Sequence, residues 1–191
     1  MITKTIYPVL LIALLACHTK KIKNEPLAMD LISYDGSNVK TVTKNDSLGQ
    51  LKIQGNIING KKNGYWMTYY PNGQIESIVN YIDNKKEGPY IKFSDENRIG
   101  EQGNYVNDLL EGKFIKYHYG YKDEEIDLVH GMKNGWAKKY YSNGQLQYEM
   151  QMKNDVQDGL YHFYNESNQL VIEEIFKDGK KQSGGIIKKD Q

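Results

Sequence analysis

Gly64-Tyr65-Trp66-Met67-Thr68-Tyr69-Tyr70-Pro71-Asn72-Gly73-Gln74-Ile75 decides the fold, because the chain keeps returning to it. A glycine with a ring two residues on and another five on starts again at Gly88, Gly112, Gly135 and Gly159, in steps of 24, 24, 23 and 24 residues. Tyr69, Phe93, Tyr117, Tyr140 and Tyr164 hold the fifth position, and Trp66, Tyr90, Phe114, Ala137 and Tyr161 the second. Self-similarity at this period belongs to stacked-repeat architectures.

Each repeat reads as one β-hairpin. Pro71 pre-sets φ for a turn, Asn72 tolerates the next position and Gly73 supplies a positive φ; Ser142-Asn143-Gly144-Gln145 repeats most of this chemistry. With Tyr70 and Gln74 flanking the turn, Tyr69 pairs with Ile75, Tyr140 with Leu146 and Tyr164 with Leu170. Seven residues before each glycine stands an apolar residue: Ile57, Tyr81, Tyr105, Leu128 and Met152. Period-2 alternation between Gly/Asn turns predicts half-buried antiparallel strands. The expected fold is all-β, an elongated antiparallel sheet of five to six stacked hairpins.

Working outward toward the start, Gly49-Gln50-Leu51 matches Gly73-Gln74-Ile75, which makes residues 41–63 a degenerate first repeat. The repeat domain is therefore expected over residues 41–191. Residues 17–40 are polar and aperiodic and read as a flexible tether. Residues 1–16 carry Lys4 and then an apolar run too short to span a bilayer, the pattern of a signal peptide. The run ends Leu14-Leu15-Ala16-Cys17, and Cys17 is the only cysteine of the chain. Toward the other end the hairpin after Gly112 is irregular: Tyr119-Gly120-Tyr121-Lys122-Asp123-Glu124-Glu125 stands where the other repeats place a regular turn.

Two resemblances follow from these residues. Leu14-Leu15-Ala16-Cys17 resembles the lipobox of bacterial lipoproteins, which implies lipidation of the Cys17 thiol and attachment to a membrane, the expected location being the outer membrane on its periplasmic side. Gly64-Tyr65-Trp66-x-x-Tyr69-Tyr70-x-Asn72-Gly73 with Asn84-Lys85-Lys86-Glu87-Gly88 resembles the MORN repeat, in the variant found in YwqK-family antitoxin proteins. That resemblance implies stacked hairpins used as an interaction or membrane-associated scaffold. A lesser likeness, Trp66 followed by Tyr69-Tyr70-Pro71-Asn72-Gly73, is to choline- and glucan-binding repeats.

The sequence shows none of the familiar catalytic motifs. His18, His118, His130 and His162 have no metal-ligand spacing, and there is no phosphate loop, Gly-x-Ser-x-Gly or HExxH. Asp123, Glu124, Glu125 and Asp127 lack the spacing of a calcium loop and read as a solvated turn. A formal charge of +1 makes no case for nucleic acid. No enzyme, metal or cofactor is expected. Lys61, Lys62, Lys85, Lys86, Lys133, Lys180 and Lys181 recur at the inter-repeat turns, as a basic stripe or as plain solubilising charge. Odd positions after the glycine (Tyr65, Met67, Tyr69, Ile75, Val79, Tyr81) are assigned to one packed face. The even positions carry a row of rings on a polar background: Trp66, Tyr70, Tyr90, Phe114, Tyr141 and Tyr161. That row is either the binding surface for an envelope protein, with cell-wall glycan as the alternative partner, or a second core.

Overall fold

The structure is a computed structural model that describes residues 30–33, as backbone, and 38–187. Cys17 and the expected signal peptide lie outside the described residues. Strands β1 (Asp30–Ser33), β2 (Val39–Asn45), β3 (Leu51–Ile58), β4 (Lys61–Tyr69), β5 (Ile75–Ile82), β6 (Lys85–Phe93) and β7 (Ile99–Val106) come first. The two-residue β8 (Leu109–Leu110) follows, then β9 (Gly112–His118), β10 (Tyr121–Val129), β11 (Met132–Tyr140) and β12 (Leu146–Lys153). The last three are β13 (Val156–Tyr164), β14 (Leu170–Lys177) and β15 (Lys180–Ile186). All join one antiparallel sheet in chain order, with β8 paired to β7 beside the path. Among the described residues there is no helix. At about 4.8 Å per strand the path extends over roughly 60 Å.

The hairpin register agrees with the sequence: Tyr69 opposes Ile75, Tyr140 opposes Leu146 and Tyr164 opposes Leu170. β2 and β3 form the degenerate first repeat, closed by an Asp46 turn whose Oδ1 accepts from the amides of Leu48 and Gln50. The expected domain boundary at residue 41 needs correction. The sheet begins with β1, where Asp30–Ser33 pair with Thr43–Lys40, so part of the segment assigned to a tether is strand. This strand carries no repeat glycine or ring, and its place is fixed by backbone pairing to β2.

The two edges of the sheet turn differently. From β3 onward the loops on one edge are two residues long with φ positive at both: Asn59-Gly60, Asp83-Asn84, Asn107-Asp108, His130-Gly131, Asn154-Asp155 and Asp178-Gly179. These are the mirror-image turns whose twist suits a tight hairpin. On the other edge the loops are longer, with Gly49, Gly73, Asn97, Gly144 and Asn168 in the left-handed position, except between β9 and β10, where Tyr119-Gly120 alone makes the turn. Asn97 and Asn168 thus do the work of the turn glycine in the repeats whose Asn-Gly is lost, since asparagine tolerates that region best among non-glycines.

The two-residue turns also clasp one hairpin to the next. The second turn residue gives its amide to a carbonyl one repeat back and accepts from the same residue: Asn84 with Lys62, Asp108 with Lys86, and Asp155 with Lys133, at 2.7–3.0 Å. The residue just before the repeat glycine reaches the first turn amide, as Glu87 does with Asn107 at 2.8 Å and Glu111 with His130 at 2.7 Å. The polar residue at that position is therefore a cap on the neighbouring turn. Asp155→Ala should lower stability by about 1 kcal/mol, the net worth of such a bond, while Asp155→Asn should change it by less than ~0.5 kcal/mol. Urea unfolding of the two variants measures the difference.

The assignment of faces also needs correction. Trp66 opposes Val79, and Tyr65 opposes Asn80, so Val79 and Tyr81 share a face with Trp66, away from Tyr65, Met67 and Tyr69. A one-residue register shift between Ile75 and Ser77 causes this, because an extra residue flips every later side chain on the strand. The packed side is the Trp66 face. Val42, Trp66, Ile126, Leu128 and Ala137 are its buried apolar residues, aligned through the Val42–Gly55, Phe114–Ile126–Ala137 and Gly112–Leu128 pairings. Two strand glycines make room for rings. Gly55 lies directly beneath the Trp66 indole, and a side chain on Gly103 would meet Phe114 at 3.0 Å.

Candidate functional site

The packed face repeats one unit. The ring two residues after the repeat glycine meets the residue seventeen after it edge-on: Trp66 with Tyr81 at 6.2 Å, Tyr90 with Tyr105 at 5.5 Å, and Tyr161 with Phe176 at 6.3 Å. Edge-to-face contacts of this kind add about 0.5–1.5 kcal/mol beyond area burial. A lysine closes the unit: Lys62 Nζ lies 4.3 Å from the Trp66 ring and 5.0 Å from Tyr81, and Lys86 Nζ 4.7 Å from Tyr105. Tyr90 donates its hydroxyl to Glu101 at 3.0 Å, and burial together with that carboxylate raises its pKa.

The even-position rings are thus divided by the structure. Trp66 is buried, 6% exposed, and belongs to the core. Tyr90, Phe114 and Tyr161 are half-buried along the same face. Tyr70 and Tyr141 are clasps on the long-turn edge, donating their hydroxyls to the Phe93 and Tyr164 carbonyls at 2.8 and 2.9 Å. In the fourth repeat the ring has moved one residue, to Trp136 on the opposite face, where it stacks 6.4 Å from His162. That exchange explains why Ala137 breaks the pattern. The inter-repeat lysines are likewise divided: Lys61 pairs with Asp83, Lys85 donates to Asn107, and Lys62 and Lys86 cover rings.

The Tyr65 face has two halves. In its first half Met67, Ile78 and Ile91 stand opposite one another across β4, β5 and β6. Tyr65, 56% exposed, and the exposed Pro89 flank them. The five side chains line an open hollow of about 440 Å³. Every one of them is apolar or aromatic, which makes the hollow a candidate contact surface. Sequence reasoning placed Tyr65 and Met67 in the core because the strand shift near Glu76 leaves no mark in composition.

The second half of this face is charged. Lys113 Nζ lies 2.8 Å from Glu125 and 3.1 Å from Asp127, Lys122 lies 2.8 Å from Glu125, and Lys138 lies 3.1 Å from Glu149. His162 sits between Glu149 and Glu173, 3.2 Å from each. The carboxylates expected in a solvated turn are instead strand residues of β10 held by lysines. The turn itself is only Tyr119-Gly120, so the residues after it were free to pair. The Lys113 and Lys122 ammonium groups pull the Glu125 pKa from 4.5 down to about 2. A carboxylate depressed on folding contributes stability above its ordinary pKa and loses it as the pH falls through the folded value. Denaturant midpoints should therefore drop between pH 4.5 and 2, and Glu125→Gln should flatten that part of the profile.

The geometry defines a class of protein, a single-layer sheet built from stacked hairpin repeats. Within it, residues 62–83 and 133–154 match the model of the MORN repeat variant. The matched segments are the hairpins β4–β5 and β11–β12, and each begins at a clasped lysine, Lys62 or Lys133. No curated protein matches the chain.

Proposed function

We propose that the chain is a non-enzymatic, membrane-anchored scaffold of the bacterial envelope that docks a protein partner on its Tyr65 face. The observation that carries this reading is the open apolar hollow of Tyr65, Met67, Ile78, Pro89 and Ile91. Rings and aliphatic side chains concentrated at the centre of a contact supply most of its binding energy. The lipobox-like Leu14-Leu15-Ala16-Cys17 supports an anchor through a lipidated Cys17, and several acyl chains hold a protein where one does not. Capture of a harmful partner in the envelope would give the scaffold an immunity-like role.

Two experiments test it. A photo-crosslinking side chain in place of Tyr65 is expected to give one discrete adduct in cells, lost in a Pro89→Ser/Ile91→Ser variant that remains folded. Equal adducts from position 65 and from Asp178, on a far turn, overturn the docking surface. Cys17→Ala is expected to release the chain from the membrane fraction, and retention overturns the anchor.

A further inference from the structure

The row of long turns is broken once. Turns 94–98 and 141–145 are each five residues long, but between them β9 and β10 close through Tyr119-Gly120 alone, His118 opposing Tyr121. The short turn leaves a notch with a hollow on either side. One, about 180 Å³, is lined by His118, Tyr119, Tyr121, Tyr140, Tyr141 and Ser142 among others. The other, about 310 Å³, lies toward Arg98, Ile99 and Tyr117.

Tyr119 is an unusual choice for this turn. Its φ is +49°, and the equivalent first positions of the six other two-residue turns hold Asn, Asp or His. A bulky side chain in the left-handed region is strained, and such strain collects where a side chain is needed for function. The turn holds the Tyr119 ring 68% exposed and 4.4 Å from the His118 ring, and Tyr121 is 60% exposed beside it.

We infer that this notch is a binding subsite for a neutral pyranose unit of a glycan. Size and charge select that class. The smaller hollow is below the roughly 300–1,000 Å³ of sites for drug-sized ligands, which leaves space for one ring. Its two charged side chains are already paired, Lys122 with Glu125 at 2.8 Å and Asp123 with Lys139 at 2.8 Å. A phosphate or carboxylate ligand therefore finds no free cation there. Tyrosine rings present an apolar face with a polar rim, matching a sugar whose C–H face stacks while its hydroxyls bond outward. Among the described residues, the hydroxyls of Tyr119, Tyr121 and Ser142 make no hydrogen bond with one another or with other side chains, so they are available to the sugar rim. The subsite is independent of the protein-docking reading, whose patch lies on β4–β6.

The test is calorimetric titration of the full chain with methyl glycosides of neutral hexoses and N-acetylhexosamines, with N-acetyltyrosinamide as the peptide-like rival. At least one glycoside is expected to bind saturably. Tyr121→Ala and Tyr119→Asn should each weaken it at least tenfold, while Tyr65→Ala leaves it unchanged. Tyr119→Asn should also raise the melting temperature, because asparagine relieves the positive φ. No saturable glycoside, saturation by N-acetyltyrosinamide alone, or binding indifferent to both substitutions overturns the assignment.

Discussion

Trp66→Ala is expected to lower the unfolding free energy by about 3–5 kcal/mol, the range for removing a buried tryptophan. Tyr65→Ala, one residue away, is expected to change it by no more than ~0.5 kcal/mol. The contrast comes from the pleat. The Trp66 indole lies over Gly55, meets Tyr81 edge-on and donates Nε1–H to the Asn56 carbonyl at 3.2 Å. Removing it opens a cavity beneath Lys62 and leaves that carbonyl without its donor. Tyr65 stands on the other face with more than half its surface in water. Since small domains are stable by only about 5–15 kcal/mol, the first substitution removes a large share and the second almost none. Guanidinium unfolding of both variants reads this directly.

Gly55→Ala should be nearly as informative, at about 1–3 kcal/mol of destabilisation from overpacking. A methyl group at Gly55 would run into the six-membered and five-membered rings of Trp66, which cannot move without tilting the indole away from Tyr81. The effect belongs to the pair. In the Trp66→Ala background the same methyl meets empty space, and Gly55→Ala should become neutral or mildly stabilising. Coupling of that sign between contacting residues is what a double-mutant cycle isolates. Additive effects would place the indole somewhere other than over Gly55.

Much of this was legible in the sequence. The repeat glycine, the Asn-Gly turns and the pairings Tyr69–Ile75, Tyr140–Leu146 and Tyr164–Leu170 follow from turn chemistry that acts within a few residues. Of the apolar residues seven before a repeat glycine, Tyr81 and Tyr105 proved to be the edge-on partners of the core rings Trp66 and Tyr90. The sheet's faces were not legible. A shift at Glu76 depends on how two strands settle against each other, and it inverted the roles of the odd and even positions beyond it. Gly55 and Gly103 did leave a signal, since an isolated glycine inside a strand marks a close approach. Tyr119 left one too, as a bulky residue before Gly120 in a turn too short for the repeat.

The candidate docking patch was hidden for the same reason as the faces. Tyr65, Met67 and Ile91 have the composition of a core, and only the register shows that Ile78 and Pro89 complete an open surface with them. The packed face and the candidate docking face thus lie on opposite sides of one layer of backbone. A repeat built this way can vary the residues of its open face while Gly55, Trp66 and Tyr81 hold the sheet.

The most direct test of that division is the fluorescence of Trp66 observed alone, in a Trp136→Phe variant. With the indole 6% exposed, its emission should be blue-shifted and resist quenching by iodide and acrylamide until the chain unfolds. Red-shifted emission, quenched as readily in the folded as in the unfolded protein, would contradict the assignment of the Trp66 face as the packed one.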